Sequence, residues 1–224
     1  MSFIHSPQIV TNGLVLSLDA GNTKSYPGTG TTWFDKSGFG NNGTLINGPT
    51  FNTGSLGSIV FDGVDDEVTG PKPVFSAVTL EFYCRLTGNA SGGYPWIIMR
   101  DSTFIGFQGN TTSARFRISI NPGTGYTEIN SNPLNPSTTF NSYVMTYDGT
   151  TVRMYVNGTL QPNTMNIAST FSLMTGNTYY LNSIAIPSFD KASNQIPIFR
   201  LYNRALSQTE INQNFNAVRG RYGI

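Results

Sequence analysis

Residues 78–86 read Val-Thr-Leu-Glu-Phe-Tyr-Cys-Arg-Leu, and this run decides the fold class. Val78, Leu80, Phe82, Cys84 and Leu86 take every second position, while Thr79, Glu81, Tyr83 and Arg85 fill the places between. Side chains of a strand alternate between its faces, so the pattern predicts an antiparallel strand with one core face and one outward face. Residues 114–120 repeat the device, with Phe116, Ile118 and Ile120 inward and Arg115, Arg117 and Ser119 outward. Between Tyr143 and Val156 the alternation is broken by Asp148-Gly149-Thr150-Thr151, which predicts two strands joined by a tight turn; Asn157-Gly158 closes the second. Further strands are expected at 14–18, 58–61, 97–100, 104–108, 179–186 and 196–202, and Pro197 in the last predicts an edge position or a bulge.

Working outward, turn pairs such as Asn12-Gly13, Asn42-Gly43, Asn47-Gly48 and Asp62-Gly63 punctuate the chain at short intervals. Many short strands with no helical pattern between them mean a sandwich or barrel and not βαβ units. One helix is signalled near the end of the chain. Ser207 and Glu210 form a capping box, Leu206 stands as staple against Ile211, Phe215 and Val218 follow at helical spacing, and Gly220 is placed to end it. The length of 224 residues suits one domain, read as an N-terminal arm over 1–10 and a β-domain over 11–224.

Composition removes several functions. Thirteen Lys and Arg against twelve Asp and Glu leave a net charge of +1, and charged residues are 11% of the chain, where about 25% is usual. Arg219 and Arg221 beside the helix would suit a nucleic-acid groove, but a near-neutral chain lacks the basic footprint that phosphates need. The single cysteine, Cys84, excludes disulfide frameworks and cysteine zinc sites; its place among core residues predicts an inert buried thiol. The single histidine, His5, lies in the arm, which leaves serine-hydrolase chemistry without a placed base. The start of the chain lacks a basic region followed by an apolar one, and no run approaches the ~18 apolar residues of a membrane span. The expectation is a chain made in the cytoplasm, without membrane insertion. For the same reason the N-x-[ST] sequons at Asn42, Asn89, Asn110 and Asn157 imply no glycosylation. Yet 24 Gly, 12 Pro, 11 Tyr and 15 Phe give the composition of a particle-surface or extracellular β protein.

Four segments carry a resemblance: GLVLSLDAGNTKSYPGTGTTWFDKSGFGNNGTLINGPTF from residue 13, SIVFDGVDDEV from 58, YVMTYDGTTVRMYVNG from 143 and IFRLYNRALSQTEINQNFNAVRGRYG from 198. In this order they resemble the concanavalin A-like lectin/glucanase superfamily, in its laminin G-like branch and in the versions found in tailed-phage virion proteins. The resemblance implies an all-β, two-sheet antiparallel jelly-roll sandwich with one short C-terminal helix. It also implies a non-catalytic virion surface protein, a capsid decoration or appendage subunit, with other virion proteins as partners and a homo-oligomer on the particle. The second reading is an adhesin module that binds cell-surface glycans, with calcium as the one cofactor to weigh. Two departures stand out. Tyr143 occupies a position where many members carry Trp, and Asn194-Gln195-Ile196-Pro197 replaces acidic residues before the last strand, which weakens any metal expectation there.

Glycosidases of this superfamily carry paired carboxylates on one strand face, about 5 Å apart for retention. Here Glu81 is followed by Tyr83 and Arg85, so the pair is missing. The dense acidic patch is Asp62, Asp65, Asp66 and Glu67. It caps a turn after the IVF strand, or its first three carboxylates hold calcium at the sandwich rim. For sugar binding the candidates are Tyr94, Trp96 and Tyr126, aromatics in or beside the Gly-rich stretches SGGYPW and NPGTGY. Core packing competes as the role of Trp96, Trp33 reads as a structural plug, and only one of Tyr179 and Tyr180 can face solvent.

Overall fold

A computed structural model describes residues 7–87, 96–99, 105–109, 114–118, 127–130, 139–166, 177–182 and 193–224; between 96 and 130 it describes backbone only, and the side chains of Ser55, Met165 and Asn166 are likewise outside it. The strands are β1 (Leu14–Asp19), β2 (Thr32–Trp33), β3 (Gly43–Ile46), β4 (Thr50–Asn52), β5 (Ser58–Asp62), β6 (Glu67–Pro71), β7 (Val78–Leu86) and β8 (Trp96–Met99). They continue as β9 (Ile105–Gly109), β10 (Ala114–Ile118), β11 (Thr127–Asn130), β12 (Asn141–Tyr147), β13 (Thr151–Val156), β14 (Thr159–Asn166), β15 (Thr178–Leu181) and β16 (Ser193–Tyr202). The helix α1 spans Gln208–Val218.

The larger sheet runs β14-β13-β12-β7-β16-β5-β4, with β1 also on β16. The long β16 serves two partners on one side: residues 193–196 pair with β5 and residues 198–202 with β1. The handover falls at Pro197, where the register with β7 slips between Gln195 and Ile198. Proline cannot donate to a ladder, so it sits in a bulge of a central strand; of the two expectations, the edge position is wrong. The opposing layer is β15-β6-β3-β2, and a second four-stranded unit, β11-β10-β9-β8, lies with β8 alongside β15 and β11 alongside β14. All the pairings are antiparallel. This is the expected two-sheet sandwich with one C-terminal helix.

Between the layers lies the main core. It takes Val78, Leu80, Phe82, Cys84 and Leu86 from β7, with Leu16, Trp33, Phe61, Val68, Met145 and Phe199 from strands of both layers. Trp33 is fully buried, as a plug must be, and Phe82 stacks on Tyr143 with ring centroids 5.4 Å apart. Burying each such side chain contributes roughly 1.5–3 kcal/mol. Tyr179 points into this core while Tyr180 is only half-buried, so the pair divides between the faces.

The outward face of β7 departs from expectation. Thr79, Glu81 and Tyr83 are buried, not solvated, because α1 and the segment from Pro7 onward cover that face. The helix presents Ile211, Asn214 and Val218, with Phe215 only half-buried, so its buried stripe is turned slightly from the predicted Ile211, Phe215, Val218 line. The reason is chemical. Asn214 Nδ2 donates to Glu81 Oε2 at 2.8 Å and to the Tyr202 hydroxyl at 2.9 Å, while its Oδ1 accepts the Val10 N–H at 2.8 Å. Tyr202 returns a bond to the Val10 carbonyl, and Gln213 donates to the Gln8 carbonyl. The segment read as an arm is thus stitched to helix and sheet from Gln8 on.

The capping box is present as predicted: Ser207 Oγ accepts from the Glu210 N–H, and Glu210 Oε2 accepts from the Ser207 N–H. At the other end Gly220 does not form a left-handed cap. Arg219 continues in the helical region and a short 3-10 turn, Arg219–Arg221, follows.

Candidate functional site

The acidic patch forms the β5–β6 turn. Asp62, Asp65 and Asp66 bring carboxylate oxygens within 4.8 Å of one another, the first two exposed and Asp66 buried. Asp62 Oδ1 accepts the Val64 N–H at 2.7 Å, and Asp66 Oδ2 accepts the Asp62 N–H at 2.9 Å. Around them, Asn47 donates to the Asp65 carbonyl, Asn182 to the Asp66 carbonyl and Asn194 to Asn182. Hard carboxylate oxygens at this spacing have the donor chemistry for calcium, and Asp62, Asp65 and Asp66 are the residues that would hold it. The hydrogen bonds account for the positions of Asp62 and Asp66 as turn caps. Tyr94 and Tyr126 lie outside the described residues, as does His5. Trp96 opens β8, and its side chain also lies outside them. Cys84 is buried, and burial pushes its thiol well above the ordinary range, which makes it inert as expected.

A second feature is assembled from five segments. A groove of about 440 Å³ opens between the N-terminal segment, β1, the loop after β2, β16 and the end of α1 with the C-terminal turn. Its lining includes Asp19, Lys36, Arg200 and Arg221, with Ile9 and Leu14 as apolar wall.

Local chemistry fixes the two guanidinium groups and the backbone at Lys36. The loop at 34–42 is organised by Asp35, whose carboxylate accepts from the Ser17, Ser37 and Asn41 N–H groups and from the Ser37 hydroxyl. The Lys36 N–H donates to the Ser17 carbonyl at 2.8 Å, which pins this residue to β1. Arg221 grips Asp19 through two bonds of 2.8 and 2.9 Å. Gly21 is required beside it, because a Cβ there would stand 2.0 Å from Arg221 Nη2 and 2.1 Å from the Leu56 carbonyl oxygen. Arg200, 3% exposed, pairs with the 1% exposed Glu81 at 3.1 Å. Burial is the largest single influence and works against its charge, but Glu81 together with Tyr202, Tyr83 and Asp19 outweighs it and the guanidinium pKa is raised.

Sequence reasoning named neither Lys36 nor Arg200, and set Arg221 aside with nucleic acid. A signal for part of the site was present: Asp19 and Gly21 belong to the LDAGN opening, and Arg221 to the NFNAVRGRYG ending. The Asp19–Arg221 pair is where those two segments meet in space.

The profile of the laminin G-type branch, described as concanavalin A-like lectin/glucanases superfamily, matches residues 62–212. The chain belongs to that superfamily. A search of curated proteins by sequence finds no match. Among solved structures, the superfamily fold seen here is shared with the binding domain of Paraclostridial mosquitocidal protein 1, at TM-score 0.73 and 16% identity over 92% of this chain and 52% of that one. The binding domain of botulinum neurotoxin DC in complex with rat synaptotagmin II gives TM-score 0.71 at 16% identity, over 93% of this chain and 52% of that one. A structure of botulinum neurotoxin type C, whose cell entry depends on interaction with two ganglioside molecules, gives 0.70 at 16% identity with coverage of 93% and 52%. The chain spans about half the length of these structures, so the likeness is one of fold over that half.

Proposed function

We propose that this chain is a non-catalytic recognition module on a lectin-like sandwich, carried as a decoration or appendage subunit on a phage-type virion and binding cell-surface glycans. The groove beneath the C-terminal turn carries the reading. It joins an apolar wall to fixed hydrogen-bonding groups, the combination that small-ligand sites use. Its one lining carboxylate, Asp19, is locked to Arg221, whereas glycoside hydrolysis needs two working carboxylates. The virion setting rests on the phage-like order of the sequence segments. Toxin binding domains that share the fold, one tied to gangliosides and one to synaptotagmin, lend support to recognition of a cell surface.

Two measurements test this. A glycan array probed with the purified chain is expected to show retained ligands and no released sugar; hydrolysis of a retained glycan, or an array with no binding at all, would overturn the glycan reading. Mass spectrometry of purified particles is expected to find the chain at a fixed stoichiometry, and its absence from particles would remove the virion setting.

A further inference from the structure

We infer that the groove selects an acidic glycan, seating the carboxylate of a uronic- or sialic-type sugar against Lys36 and Arg221. The inference rests on the glycan-binding reading above and adds the class of sugar.

Charge accounting comes first. Arg200 is neutralised by Glu81 and Arg221 by Asp19. The exposed Lys36 ammonium has no ion pair among the described residues, so the lining holds one uncompensated positive charge. One such charge matches a monoanion. A phosphate dianion would call for more donors and a nest of backbone N–H groups.

A second observation is independent of that sum. Arg200 lines the groove, its side chain is more than nine-tenths buried, and its Nε–H has no acceptor in the protein. Buried donors are satisfied as a rule, by water or by a ligand when not by the chain itself. The Arg200 Nε is itself shut off from solvent, so it lies behind the groove wall and is not one of its accessible donors; on the accessible side no carboxylate is spare, since both oxygens of Asp19 are engaged by Arg221.

Preorganisation adds to this. The Arg221 guanidinium is held by a two-bond clamp and the Lys36 backbone is pinned to β1, so of these two cations only the Lys36 side chain has still to be ordered on binding. Ile9, Leu14 and Val218 offer C–H surface to one face of a pyranose. The volume of about 440 Å³ falls within the range of roughly 300–1,000 Å³ typical of small-molecule sites. A bare inorganic anion would leave that apolar wall unused.

The test is an amide-resolved NMR titration of the full chain with three probes: glucuronic acid, glucose and inorganic phosphate. Glucuronic acid is expected to shift the amides of Asn22, Lys36 and Arg221 and to bind at least about tenfold more tightly than glucose, as one charge-assisted contact warrants. Lys36→Gln should weaken it by roughly the same factor and Lys36→Glu should abolish it, both with an unchanged melting temperature. Equal binding of glucose, or equal binding of phosphate, would overturn the acidic-sugar assignment. So would a Lys36→Gln variant that binds glucuronic acid as the parent does, or shifts confined to another surface. If neutral glycans are retained on the array while glucuronic acid leaves the groove untouched, this inference falls and the module reading stands. An array without any binding removes both.

Discussion

Single residues in this protein act mostly by fixing where a backbone turns. Glu210 caps α1 and is clamped by Arg204, and the Arg204 guanidinium holds its carboxyl down to about 2 from an ordinary 4.5. A depressed carboxylate contributes stability that is complete above its unfolded pKa and is lost as pH falls through the folded one. Glu210→Gln is therefore expected to cost about 1 kcal/mol at neutral pH, after discounting for solvent at this part-exposed pair. The difference from the parent should shrink between about pH 4.5 and pH 2, as urea unfolding at stepped pH will show. Gly21 gives a steric counterpart. A methyl group there meets the Leu56 carbonyl and the Arg221 guanidinium, so Gly21→Ala should lose roughly 1–3 kcal/mol in denaturant melts. It should also weaken whatever the groove binds, because Arg221 must yield.

At the scale of elements, the polar stitch between β7, β16 and α1 is the feature that sequence alternation described only by half. Thr79, Glu81 and Tyr83 sit where a two-faced strand shows its solvent side, and their polarity is consistent with that. Nothing local says that a helix more than a hundred residues away will cover them. Conversely, Asn214, which the predicted Ile211, Phe215, Val218 stripe leaves out, lies on the buried face of the helix, because its partner Glu81 is on another element. The Thr79 hydroxyl works in the same layer, donating to the Arg204 carbonyl and accepting the Leu206 N–H, so it sets how the chain leaves β16 for the helix. Glu81→Gln strands the Arg200 charge in the interior and is expected to cost about 3 kcal/mol. Combining it with Arg200→Met should lose less than Glu81→Gln alone, since an absent pair is cheaper than a broken one. A double-mutant cycle in denaturant checks the sign.

For the whole molecule, the long alternating strands, the Asp148 and Asn157 turns and the capped helix were legible because each is written within about ten residues. The two- to five-residue strands β2, β3, β4 and β6 were not, being too short to show a period. Pro162 masked β14, which tolerates it on the sheet edge. The turn-capping reading of the acidic patch was local and holds in the hydrogen bonds of Asp62 and Asp66, while the groove joins residues 19, 36, 200 and 221 and left no contiguous motif. The C-terminal turn that borders the groove also closes the layer that α1 and the N-terminal segment form over the outer face of the sheet. Tyr222 packs on Tyr83 and Phe140 with ring centroids 5.3 and 5.1 Å away, sealing the end of the helix against the outer face of the sheet. If that layer belongs to one cooperative unit, Tyr222→Ala should act as a core truncation costing about 3 kcal/mol. The expected melting-temperature drop is then about 6–12 °C in one transition for a chain of this size. An early, separate transition for α1 while the sandwich melts unchanged would show instead that the helix and the N-terminal segment are docked independently. In that case the groove between them would open and close without unfolding the core.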